Sequence, residues 1–192
     1  MARSNFYSFP NLLTYGRCLA VPLVVVLLFW PDEHWARWWA LGIYVAAAIT
    51  DYFDGYLARA WDQQSALGRM LDPIADKLLV AAVLLMLVAD ATIYGWHIWA
   101  AIIILLREIL VSGLREFLAE LKVSVPVSKV AKYKTTLQLV ALGFLVAGPA
   151  GNVVFPWTTL VGLVLLWIAA VLTLYTGYDY MRAGMRYLVD EE

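Results

Sequence analysis

The chain has one cysteine, Cys18, and two histidines, His34 and His97, among 192 residues. A lone thiol excludes a disulfide framework and any cysteine-based zinc or iron–sulfur centre, and two histidines so far apart suggest no histidine metal site. Charge is also scarce: Asp, Glu, Lys and Arg make up 15% of the residues, where a soluble globule carries about 25%. These charges sum to −1, so no basic excess points to nucleic acid as a partner. No internal repeat or low-complexity stretch stands out, and no soluble domain is expected beside the apolar part. What fills the chain is apolar: 63% of the residues are hydrophobic and the mean hydropathy is +0.74. Water would leave such a chain nowhere to hide its side chains, and a lipid bilayer is the solvent that accommodates them.

A segment in lipid satisfies its own backbone hydrogen bonds, which leaves helices or a closed barrel; long runs without strict alternation favour helices. At about 20 residues per crossing, the sequence divides into six spans: Asn11 to Trp30, Ala36 to Ala60, Leu71 to Ala89, Trp96 to Glu120, Lys129 to Gly148 and Pro156 to Met181. The expected fold is an all-α membrane protein with six transmembrane helices, one domain over residues 1–192, with a bundle at 11–181 and a tail at 182–192. Pro31-Asp32-Glu33, Asp90-Ala91-Thr92, Pro126 and Gly148-Pro149-Ala150-Gly151-Asn152 read as connections rich in helix breakers. Trp30, Trp35, Trp38, Trp39, Trp96, Trp99 and Trp157 gather near them, as interfacial belts do. Met1 to Pro10 is too short and polar for a signal peptide core, and its Phe6, Tyr7 and Phe9 predict a short interfacial helix along the inner leaflet.

An even number of spans puts both termini on one side. Arg3, Arg17, Arg59, Arg69, Lys77, Arg107, Arg115, Lys122, Lys129, Lys132, Lys134, Arg182 and Arg186 fall at that side, and only Arg37 falls at the other. The positive-inside rule makes the first side cytoplasmic.

The second and third spans hold four aspartates that a bare anchor would not keep. Asp51 and Asp54 are three apart and Asp72 and Asp76 four apart, so each pair shares a helix face. Asp51 lies about 22 Å along its helix from Ala36, close to the inner boundary, and Asp72 and Asp76 open the next helix at the same boundary. All four are therefore expected to converge in a pocket open to the cytoplasm. Four carboxylates in a low-dielectric pocket need countercharge, and oxygen-only ligands favour Mg²⁺ or Mn²⁺ over zinc. Two such ions suit the clamping of phosphoryl oxygens in an in-line displacement. The alternative is a structural cluster in which Arg59, Arg69 and Lys77 pair with the acids. Gly55, Ala58 and Gly68, interleaved with them, would let a ligand or another helix approach the backbone.

Asp51-Tyr52-Phe53-Asp54-Gly55-Tyr56-Leu57-Ala58-Arg59, eight further residues, then Gly68-Arg69-Met70-Leu71-Asp72-Pro73-Ile74-Ala75-Asp76 resembles the DxxDGxxAR(x8)GxxxDxxxD signature of the CDP-alcohol phosphotransferases. The resemblance implies an integral membrane enzyme that displaces CMP from a CDP-alcohol with the hydroxyl of a second alcohol. By position it implies that Asp51, Asp54, Asp72 and Asp76 are metal ligands and that Asp76 is also the general base. Asp51, Gly55, Ala58, Arg59, Gly68 and Asp72 would form the cytidine diphosphate groove, with Arg59 on phosphate. A homodimer in the bacterial cytoplasmic membrane, its active site facing the cytoplasm, is likewise implied.

The acceptor is read from the remaining cations. Arg107-Glu108 and Arg115-Glu116 lie eight apart in the fourth span, close to one face, and Lys129, Lys132 and Lys134 open the fifth. They predict a cationic pocket beside the aspartates suited to a phosphomonoester; Lys122 and Lys129 read instead as topology and lipid-contact residues. Arg107 to Glu116, Lys132-Tyr133-Lys134-Thr135-Thr136-Leu137-Gln138 and Pro10 to Arg17 resemble the phosphatidylglycerophosphate synthase branch of the family. That resemblance implies CDP-diacylglycerol and sn-glycerol 3-phosphate as substrates, with Arg107, Arg115, Lys132 and Thr14 at the acceptor phosphate. Other acceptors, as in cardiolipin or phosphatidylinositol phosphate synthesis, are the nearest alternatives. A divalent-cation transporter is the more distant one, since midplane ligands and an inverted repeat are not visible.

Overall fold

Runs of Leu, Val, Ile and Ala punctuated by Pro, Gly and Asp fold into helices throughout. The computed structural model describes residues 9–30, 32–61, 66–121 and 129–189, and within them all side chains except those of 9–10, 51–61, 66–69, 72, 129, 131–132 and 186–189. The elements are α1 Phe9–Leu28, α2 His34–Trp61, α3 Ala66–Ala89, a 3-10 turn Gly95–His97, α4 Ile98–Glu120, α5 Lys129–Val154 and α6 Thr158–Val189. No strand occurs among the described residues. The all-α expectation is met, and each expected span lies on a helix.

Among the described residues, four helical stretches are long and apolar enough to cross a bilayer: Asn11–Leu28, Gly95–Glu120, Tyr133–Val154 and Thr158–Met185. Leu19, Leu23, Leu85, Leu106, Ile109, Val164, Val171 and Leu174 stand exposed along the helices, which suits a lipid-facing surface and not an aqueous one. The chain is a multi-pass membrane protein. Trp30, Trp35, Trp38, Trp39, Trp96, Trp99 and Trp157 are all exposed at helix ends, the positions interfacial anchors occupy. The interfacial helix expected at Met1 to Pro10 lies almost wholly outside the described residues.

The chain forms two compact units. The first comprises Met1–Thr92 and Gly143–Thr159. In it α1 packs on α2 and α3, and α2 offers a narrow ridge, Ala36, Ala40, Tyr44 and Ala47, one residue per turn. Small side chains there let neighbouring backbones approach closely. α3 answers with Ala75, Leu79, Val83 and Leu87 at the same period. The second unit comprises Ile93–Leu142 and Leu160–Glu192; its buried residues include Ala100, Ile104, Val111 and Leu118 of α4 and Leu163, Leu166, Ala169 and Ala170 of α6.

Some boundaries differ from expectation. The run Gly148 to Asn152 is not a connection: α5 breaks at Gly148 (φ 42°, ψ −126°) and resumes to Val154, and the chain turns at residues 155–157 instead. A tertiary contact explains the survival of the helix. Pro149 has no N–H for the carbonyl of Leu145, and Arg37 supplies the missing donor, its Nη1 lying 3.5 Å from Leu145 O and 3.3 Å from Val146 O. Gly148 is required twice over, since its φ favours glycine and a Cβ there would meet Arg37 Nη1 at 2.5 Å. The Arg37 Nη2 donates to Asp90 Oδ2 and, at 3.0 Å, to Thr92 Oγ1. Asp90 in turn accepts the Thr92 amide on Oδ1 at 2.8 Å, closing the turn after α3. The tail placed at 182–192 is also helical as far as Val189, because α6 continues past the expected end at Met181.

Candidate functional site

The acidic signature lies in the first unit. Positions 51 and 54 fall one turn apart within α2, and 72 and 76 one turn apart within α3. The side chains of Asp51, Asp54, Ala58, Arg59, Asp72 and Lys132 lie outside the described residues, as do the surroundings of Gly55 and Gly68. Among the described residues no group of three His, Cys, Asp or Glu forms a metal site; of the four aspartates only Asp76 is in that set. Asp76 is half-buried beside Ala75, the first residue of the α3 core stripe, and it engages partners in the protein. Its carboxylate acts electrostatically on Tyr44 of α2, whose side chain is buried. Tyr44 carried no signal in the sequence, where it reads as one more aromatic in an apolar helix.

The start of α1 adds a polar strip to this unit. Asn11, Thr14 and Arg17 are buried at three-residue spacing and all are engaged in interactions; further along, the same face turns apolar with Ala20, Val24 and Leu28. Between α1 and α2 runs a groove of about 250 Å³, lined by Leu12, Leu13, Gly16, Arg17, Ala20 and Leu23 on one side and Ile43, Ala46, Ala47 and Thr50 on the other. Its wall is almost entirely apolar and includes Thr50, the residue before the first aspartate of the signature.

The cationic residues expected at the acceptor belong to the second unit. Arg107 is 13% exposed; its Nη2 donates to Thr176 Oγ1 at 3.0 Å and its Nη1 lies 3.4 Å from Glu108 Oε1. Lys134, 4% exposed, donates to the same Glu108 oxygen. Arg115 is exposed and stacks over the Tyr180 ring, 5.6 Å from its centroid. The two arginines eight apart thus sit in different surroundings, one locked among polar groups and one on an aromatic face. Glu108, Thr176 and Tyr180 were not foreseen as partners, because nothing in the local sequence pairs α4 with α6. Thr14 stands in the first unit, while Arg107, Arg115 and Lys134 stand in the second.

The oxygen-only donor set of the four aspartates fits a hard divalent cation. The half-buried Arg107 and the buried Lys134, which meet at the Glu108 carboxylate, are cationic donors of the kind that suits an anionic ligand.

Comparison with known proteins bears on this arrangement. The family model described as CDP-alcohol phosphatidyltransferase matches residues 7–175. A Rickettsia bellii protein named CDP-diacylglycerol–glycerol-3-phosphate 3-phosphatidyltransferase is 49% identical over 178 residues, which span 93% of this chain and 96% of that protein. Proteins of the same name from Cereibacter sphaeroides and Shigella flexneri serotype 5b are 40% and 41% identical, over 97% and 96% of this chain and 99% of each of theirs.

Proposed function

The chain belongs to the CDP-alcohol phosphatidyltransferase family, and from that premise we propose that it moves the phosphatidyl group of CDP-diacylglycerol onto sn-glycerol 3-phosphate. The products are phosphatidylglycerol phosphate and CMP. The observation that carries this reading is near-full-length similarity, at 40–49% identity, to proteins named for that reaction. The intact signature at residues 51–76 and the buried cations of the second unit support it.

Asp76 takes the proton of the attacking glycerol hydroxyl. The freed oxygen bonds to the lipid-side phosphorus of the pyrophosphate while the bond to the bridging oxygen breaks, and CMP departs with that oxygen. Asp51, Asp54, Asp72 and Asp76 would hold Mg²⁺ or Mn²⁺, two ions in our reading, which would supply positive charge against the pyrophosphate and the departing CMP. Gly55, Ala58 and Gly68 leave room for the cytidine diphosphate, and Arg59 pairs with its phosphate. Arg107, Arg115, Lys132 and Thr14 hold the phosphate of the acceptor. Because that phosphate is remote from the reacting bond, its binding orients the hydroxyl for attack. The groove between α1 and α2 provides an apolar path for an acyl chain, beginning beside the signature.

In this reading residues 1–192 act as one catalytic domain. α2 and α3, about 42 and 36 Å long at 1.5 Å per residue, cross the membrane with the other four helices. Both termini and the active site face the cytoplasm, and two copies pair. The decisive assay supplies purified protein with CDP-diacylglycerol, Mg²⁺ and a panel of acceptors and follows CMP release. Release with glycerol 3-phosphate is expected; silence there together with turnover on an inositol phosphate or phosphatidylglycerol would replace the acceptor.

A further inference from the structure

We propose that Thr176 and Gly177 of α6 are positioning residues that set the Arg107 guanidinium for the acceptor phosphate, a step that rests on reading Arg107 as a phosphate ligand. An arginine side chain has many rotamers, and a ligand that must first immobilise one binds more weakly. Here the choice is made on folding. The Arg107 stem lies on Gly177: a Cβ at that position would stand 3.0 Å from Arg107 Cγ and 3.3 Å from Nε. A glycine inside a helix is unfavourable relative to alanine, and in α6 it makes the space through which the arginine passes. Gly184, another glycine of the same helix, receives Leu114 and Leu118 instead, so apolar packing accounts for that one.

Thr176 supplies direction. Its hydroxyl lies 2.9 Å from Leu172 O and 3.2 Å from Thr173 O. Its single proton is therefore committed to the helix backbone, and a lone pair is left to accept from Arg107 Nη2 at 3.0 Å. The residue is 4% exposed, so water does not compete readily for that lone pair. Glu108 approaches the other terminal nitrogen. The guanidinium is thus set by α6 on one nitrogen and by its own helix on the other.

The test measures KM for glycerol 3-phosphate and kcat in purified variants. Thr176→Val, which keeps the shape and loses the acceptor, should raise that KM about tenfold or more, the scale of one hydrogen bond to a charged group. The KM for CDP-diacylglycerol should stay within about twofold, because the lost interaction belongs to the acceptor alone. Thr176→Ser should restore the KM, and Gly177→Ala should raise it by displacing the arginine with every hydrogen-bond donor intact. In an Arg107→Gln background Thr176→Val should add nothing, because coupled residues are non-additive. A full additional effect in that background, or a normal KM in both Thr176→Val and Gly177→Ala while Arg107→Gln raises it, would overturn the positioning role. A normal KM in Arg107→Gln itself would instead remove Arg107 from the phosphate site.

Discussion

Arg37 and Arg107, two of the arginines drawn into the interior of this protein, are treated differently. Arg37, in the first unit, is 1% exposed and bonded to Asp90, Thr92 and the carbonyls of Leu145 and Val146. Its charge is matched by Asp90, and its donors replace a bond that Pro149 cannot make. Arg107, in the second unit, keeps 13% exposure and shares one carboxylate with Lys134, so the three side chains carry one positive charge in excess. Its Nε, together with Gln138 Oε1 and Thr173 Oγ1 in the same unit, is buried without a hydrogen-bond partner in the protein. Sealed neutrality is what a structural ion pair needs in a low dielectric. Excess charge with an accessible edge costs stability and is kept where an anion has to bind.

The largest expected effect bears on activity alone. Asp76→Asn should lower turnover by about a thousandfold or more, since a missing general base is worth 10²–10⁴ and the residue is also assigned to metal. The variant should keep the thermal unfolding temperature of the parent in detergent; an active variant would remove Asp76 from the chemistry. The converse holds at the sealed site. Arg37→Leu should lose about 3–5 kcal/mol of stability by stranding Asp90, read as a large fall in unfolding temperature, whereas Arg37→Leu with Asp90→Leu should recover much of it. If Arg37→Leu unfolds normally yet loses acceptor affinity, the distinction between the two arginines collapses.

Lys134→Met tests the charged cluster: a rise of about tenfold in KM for glycerol 3-phosphate is expected for one lost ionic contact, with the KM for CDP-diacylglycerol unmoved. Gly148→Ala should cost about 1–2 kcal/mol from its positive φ alone, and more from the clash with Arg37. The smallest effect belongs to Ala91, whose φ of 57° lies in the left-handed region. Ala91→Gly there should stabilise the fold by at most about 1 kcal/mol, read as a slight rise in unfolding temperature, without touching kinetics.

How much was legible in the sequence depended on how local each signal was. Helix periodicity and length are local, and each of the six expected spans falls on one of the helices α1 to α6, with ends that differ by up to eight residues. The acidic signature is local too, confined to residues 51–76 and carried by residue type and spacing. Arg37 was visible only as the one cation on the wrong side. Its partners lie at positions 90, 92, 145 and 146, in elements that no periodicity connects. For the same reason Gly148-Pro149 read as the end of a helix, since the donor that rescues it comes from about 110 residues away. Thr176 and Gly177 were hidden more completely, being ordinary packing residues on an apolar helix until an arginine of α4 is seen between them.

The sequence by itself determined the solvent and the helical class, and it carries the acidic signature on which the proposed chemistry rests. Scarce charge, run length and carboxylate spacing act through hydration and helix geometry, which need no partner in space. Tertiary structure alone decided which buried cations are sealed and which remain open. Burial cost and hydrogen-bond satisfaction depend on groups from other helices, and those meet only when the chain has folded.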